Sequence, residues 1–115
     1  MTVVHTIADC RRQRSELQGV ALVPTMGALH EGHLELMRMA RRIAGPEGVV
    51  VVSIFVNPLQ FGPGEDFERY PRDEAGDSAL LASAGCDLLF APERAVMYPD
   101  GFATSVIVAD VSVPL

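Results

Sequence analysis

The stretch Gly19–Ala44, GVALVPTMGALHEGHLELMRMARRIA, changes its hydrophobic period partway along. Val20 to Val23 are four consecutive apolar residues set between Gly19 and Pro24, the mark of a short buried strand. From His33 to about Ala44, Leu34, Met37, Ala40 and Ala44 recur at helical spacing while Glu35, Arg38, Arg41 and Arg42 face elsewhere. GPEG stops that helix, and VVVVSIFV, residues 49–56, then reads as a second strand apolar on both faces, as a central parallel strand is. Strand, helix and strand in this order predict an α/β fold: a Rossmann-like open, mostly parallel sheet with flanking helices.

The flanking sequence extends the same alternation. Residues 6–18 read as a polar helix with Thr6 and Asp9 as a capping pair and Ile7, Cys10 and Leu17 on one face, ended by Gly19. NPLQFGPGEDFERYPRD, residues 57–73, is broken by three prolines and two glycines and predicts a long irregular loop, a length usually kept for function or disorder. Residues 73–84 read as a helix, DLLFA (87–91) as a third buried strand, PERAVMYPDGF as turns and ATSVIVADV as a further strand. There is no internal repeat. In such sheets ligands bind beyond the carboxyl ends of the strands, where the TMGALHEGH and NPLQF segments leave the first two.

Composition narrows the function. The 115 residues, 49% of them hydrophobic, suffice for one domain with a core. The longest apolar run falls far short of the roughly 20 residues of a membrane helix, and the N-terminus lacks the order of a signal peptide, so no membrane role and a cytoplasmic location are expected. A net charge of -6, spread along the chain, argues against nucleic acid. Cys10 and Cys86 form no CxxC pair and are expected to be buried thiols. All nine basic residues are arginine; there is no lysine. A polyphosphate site here would use backbone amides, histidine or arginine.

Each unusual loop carries a chemistry. Gly27 permits a sharp turn after the strand, and Gly32 removes a side chain where the helix begins, letting a flat ligand approach the backbone. The first helical N–H groups and the helix dipole make an anion site bordered by His30 and His33, each able to donate to a phosphate oxygen. Two histidines merely capping a surface helix would give the same pattern. Zinc fits less well, because H-x-x-H lacks the H-E-x-x-H spacing and a third soft ligand. Asn57 and Gln60 bring amides and Phe61 an apolar wall suited to a small hydroxylated or carboxylated ligand, although Asn57-Pro58 is also an ordinary way to leave a strand. Tyr70 either adds a phenol or packs on that pocket. Asp73, Glu74 and Asp77 make an acidic helix start that dipole complementarity explains, with a magnesium role for Asp77 as the weaker alternative.

PTMGALHEGHLELMRMAR, VVVSIFVNPLQFGPGEDFERYPR, DLLFAP and MYPDGFAT, in this order over residues 20–105, resemble the N-terminal half of the pantoate–β-alanine ligase (pantothenate synthetase) family. HEGH alone resembles only the wider nucleotidylyltransferase superfamily; NPLQF narrows it to this branch. The resemblance implies that ATP and (R)-pantoate give pantoyl adenylate with Mg²⁺, and that β-alanine then attacks it to release pantothenate and AMP. It implies ATP contacts from Met26, Gly27, Ala28, Leu29, His30, Glu31, Gly32 and His33, with His33 matching the proton donor. It further implies that Gln60 binds pantoate close to the β-alanine position, with Asn57, Phe61, Tyr70, Pro24, Thr25 and Met26 shaping that pocket. Whether His33 acts as imidazolium or as a neutral donor stays open, since the helix dipole disfavours the cation.

Family chains are more than twice as long and continue into Lys-Asp and Ser-Arg phosphate-holding segments and a C-terminal lid domain. Residues 1–115 are therefore expected to be an incomplete N-terminal nucleotide- and pantoate-binding domain, with little ligase activity alone. An unpaired strand edge and the dimers typical of the family predict a homodimer. A non-catalytic pantoate-binding or dimerisation module, which the absent lysine favours, and another H-x-G-H nucleotidylyltransferase are the competing readings.

Overall fold

A computed structural model describes residues 1–15, 19–62 and 67–101. The strands β1 (Thr2–Val4), β2 (Val20–Thr25), β3 (Val49–Ile54) and β4 (Leu88–Phe90) form one parallel sheet in the order β1-β4-β3-β2. The helices are α1 (Ile7–Arg14), α2 (Glu31–Ala44), α3 (Glu74–Ser83) and a single turn, α4 (Arg94–Met97). The open parallel α/β sheet expected from the βαβ pattern is present. The expected strand over 103–111 lies outside the described residues, as does the Leu17 end of the first helix.

Two elements escaped the sequence reading. β1 has three residues, two of them exposed, and is a strand only because Val3 and Val4 align with Leu89 and Phe90 of β4. α4 sits inside the PERAVM segment read as turns. The irregular loop contains two short 3₁₀ turns, Pro58–Gln60 and Phe67–Arg69.

Alternation along β3 decides what covers each face. Val50 and Val52 point to one side and pack with Val23, Leu89, Met37 and Ala40 of α2, and Leu81 of α3. Val51 points to the other side, with Val4, Leu88 and the half-buried Cys10 of α1. Met37, Leu81, Leu89, Val50 and Val52 are almost wholly enclosed, each contributing roughly 1.5–3 kcal/mol by burial. α1 buries none of its residues, so its face of the sheet is thinly covered. Cys86 is buried as expected, and burial pushes its thiol up to about 11, the behaviour of an inert core cysteine.

The amino ends of the strands are tied by Arg41, which donates to the carbonyls of Gly45, Gly48 and Gly85 and to Asp87; Asp87 also accepts the Val50 N–H. The carboxyl ends are left to the loops that follow β2, β3 and β4.

Candidate active site

α2 starts two residues earlier than its apolar spacing predicts, because His30 is its N-cap. Capping usually falls to a Ser or Thr with a Glu or Gln three residues on; here two histidines fill both places. The Gly32 N–H donates to His30 Nδ1 at 3.0 Å and the His30 N–H to His33 Nδ1 at 3.2 Å. A backbone N–H can only donate, so each Nδ1 is an unprotonated acceptor and each neutral ring carries its proton on Nε2. In the capped state both rings are therefore neutral, and each offers one Nε2–H donor. Burial, and secondarily the neighbouring His30, lower the His33 pKa below 6.5, with Asp77 opposing. The rings lie 4.2 Å apart, centroid to centroid.

Two expectations for this turn change. A Cβ on Gly32 would come within 2.8 Å of the His30 ring, so the space that glycine opens is used by that ring rather than left for a flat ligand. The Gly32 N–H, expected to be open to an anion, is taken by His30 Nδ1.

The turn between β2 and α2 is strained. Gly27 has φ of +81° and Ala28 a φ of +50°, a left-handed conformation that costs a non-glycine residue roughly 1–2 kcal/mol. Asp77 of α3, only 5% exposed, holds it there. Its Oδ2 accepts the Ala28 N–H and its Oδ1 the Leu29 N–H, each at 3.0 Å. A Cβ on Gly27 would meet Asp77 Oδ2 and Ile54 Cγ2, each at 3.0 Å. Helix-dipole complementarity therefore does not exhaust the use of Asp77. Both carboxylate oxygens are engaged by protein donors, and no group of three or more His, Cys, Asp or Glu among the described residues is arranged to hold a metal ion. The donor set does not fit a magnesium ion held at Asp77.

On the thinly covered face, a groove of about 750 Å³ runs from Cys10 and Leu22 to the carboxyl ends of β2 and β3. Pro24, Thr25, Met26, Asn57 and Gln60 line that end together, with Phe55 and Phe90 as apolar walls. Asn57 caps the Pro58–Gln60 turn through Oδ1, which accepts the Leu59 N–H, so the Asx-Pro turn and the pocket are the same structure. Phe61 and Tyr70 pack edge to face at 5.9 Å and do not line this groove. Met26 and Gly27 also border a second cavity of about 440 Å³ with Asp77, Arg72 and His5. His5, an exposed residue, pairs with Glu74 at 3.0 Å. Sequence reasoning missed Tyr98, whose O–H donates to Asn57 Oδ1 at 3.1 Å. It also missed the clamp formed by Asp77.

The family model of pantoate–β-alanine ligase matches residues 2–115. The chain belongs to the pantoate–β-alanine ligase family. It is 61% identical to a pantothenate synthetase of Thiobacillus denitrificans over 99 residues, 86% of this chain and 34% of that protein. It is 58% identical to one of Acidiphilium cryptum over 120 residues, all of this chain and 42% of that one. Among solved structures, a pantothenate synthetase of Thermus thermophilus superposes with a TM-score of 0.83 at 58% identity, over 94% of this chain and 38% of that one. The Francisella tularensis ligase, complexed with beta-gamma ATP and β-alanine, superposes with a TM-score of 0.85 at 39% identity, over 94% of this chain and 41% of the other. The chain thus spans about two fifths or less of the ligases it matches.

Proposed function

We propose that this chain supplies the ATP-facing and pantoate-facing part of a ligase that joins (R)-pantoate to β-alanine through pantoyl adenylate. The observation that carries the reading is that the H-x-G-H helix start follows β2 and the Asn57–Gln60 amides follow β3 at the carboxyl edge of one parallel sheet, the amides and not the histidines lining the groove, in a chain of this family.

Adenylation needs the pantoate carboxylate to attack the α-phosphorus while negative charge builds on phosphate oxygens. The Nε2–H groups of His30 and His33, fixed by the reciprocal cap, are preorganised donors for that charge, and His33, matched to the proton donor of the family, acts there as a neutral hydrogen-bond donor while the cap holds. Preorganisation matters because donors already in place need no reorientation as the charge develops. Asn57 and Gln60 hold the pantoate oxygens between Met26 and the aromatic walls, which positions the nucleophile. In the second step the β-alanine amine attacks the acyl carbonyl and AMP leaves, beside the same Gln60. Mg²⁺ bound with ATP would offset the negative charge of the phosphates, with its ligands supplied mainly by the phosphates and water.

The outer edge of β2, with Val20 and Leu22 exposed and no strand partner among the described residues, supports pairing with a second copy. Sedimentation of a folded monomer at high concentration would count against that.

Separate calorimetric titrations with ATP and with (R)-pantoate test the reading. Pantoate is expected to bind, more tightly than other hydroxy acids of its size, and ATP weakly, since no lysine is present to clamp the phosphates. Equal affinity for unrelated hydroxy acids would refute the substrate assignment.

A further inference from the structure

Asn57 Oδ1 accepts two hydrogen bonds, from the Leu59 N–H at 3.0 Å and from the Tyr98 O–H at 3.1 Å. The atom facing a backbone N–H must be an acceptor, so the orientation of this amide follows from chemistry. Its Nδ2H₂ is left on the opposite side with protons to give. Nearby, the Thr25 hydroxyl is already committed, donating to the Ser53 carbonyl and accepting from the Gly27 N–H. Tyr98 is half-buried, its ring 6.0 Å from that of Phe55, and it is not one of the described residues lining the groove. Its hydroxyl reaches Asn57 on the Oδ1 side of the amide.

We propose that Tyr98 is a positioning residue that locks the Asn57 carboxamide with its NH₂ presented to the groove. This end of the site then takes a ligand oxygen that accepts, a hydroxyl or carboxylate, and disfavours an ammonium. The proposal rests on the pantoate reading above, because pantoate offers both kinds of oxygen. Gln60, exposed and able to turn either way, cannot impose that polarity alone.

Tyr98→Phe keeps the ring beside Phe55 and removes only the O–H. In ¹⁵N-labelled chain, relaxation reads the order of the Asn57 Nδ2H₂ group, and calorimetry reads affinity for (R)-pantoate. The substitution is expected to lower that order, move the Leu59 amide proton upfield and weaken pantoate binding about 5–10-fold, the scale of one hydrogen bond. In an Asn57→Ala background the same substitution should change pantoate affinity less than about twofold, because the residue it acts through is gone. A general loosening of the fold would persist in both backgrounds. Unchanged Asn57 order, or equal weakening in both backgrounds, overturns the proposal. A parent chain that binds no pantoate refutes the ligand reading instead, and the Asn57 relaxation still decides whether Tyr98 anchors the amide.

Discussion

The carboxylate of Asp77 accepts the Leu29 N–H at 3.0 Å across 48 residues of chain, and its second oxygen accepts the Ala28 N–H. One buried charge on α3 thereby fixes the turn that delivers His30 to the start of α2. Asp77→Ala leaves two part-buried amides without their acceptor and is expected to cost about 2–4 kcal/mol of unfolding free energy. Asp77→Asn should cost a similar amount, since its NH₂ would face one of the two donors. Urea denaturation checks both; a loss below about 0.5 kcal/mol, the scale of a surface substitution, would show that the clamp contributes nothing.

The same turn predicts opposite outcomes at adjacent residues. Gly27→Ala places a methyl against Asp77 and Ile54 at a φ of +81° and should destabilise by roughly 1–3 kcal/mol. Ala28→Gly relieves a left-handed alanine and should be neutral or stabilise by up to about 1 kcal/mol. Thermal unfolding of the two variants side by side reads the difference in sign.

His33 makes stability depend on pH. Its folded pKa lies below the unfolded 6.5, so the unfolded chain binds more protons between the two values. The contribution of neutral His33 is complete above pH 6.5 and is lost as pH falls through the lowered folded value. His33→Gln keeps a capping acceptor and removes the titration. Denaturation midpoints compared at about pH 7.5 and about pH 5 should show a smaller acid-side loss in His33→Gln than in the parent; equal losses would contradict the assignment.

Much of this was legible because it is local. Val49–Ile54 is β-branched at five of its six positions with a helix pattern on one side, and no other element suits it. The His30 and Asn57 loops were found as the segments leaving two such strands. What stayed hidden depends on partners distant in sequence. β1 shows no period of its own and exists through β4. Asp77 looks like any acid in a first helical turn until the β2–α2 turn is folded against it, and Tyr98 looks like any turn tyrosine until it meets Asn57, 41 residues away. The Asp77 magnesium alternative lost its basis for the same reason: its oxygens were already engaged.

Pantothenate formation by the chain alone should be at or near background, because positioning and charge clamping supply most of the catalysis in phosphoryl chemistry and no lysine is available. Mixing chain, ATP, Mg²⁺, pantoate and β-alanine and following AMP release tests this. Sustained turnover would show that the arginines and histidines of residues 1–115 are a sufficient clamp.

The account turns on the groove lined by Asn57 and Gln60 being the pantoate subsite, distinct from the His30–His33 cap, whose residues do not line it. Calorimetry of (R)-pantoate against the parent chain, Gln60→Ala and His33→Ala tests it most directly. Saturable binding in the parent that falls at least about 10-fold in Gln60→Ala and stays within about twofold in His33→Ala is the predicted result. Pantoate affinity untouched by Gln60→Ala, or abolished by His33→Ala in a folded chain, would contradict it.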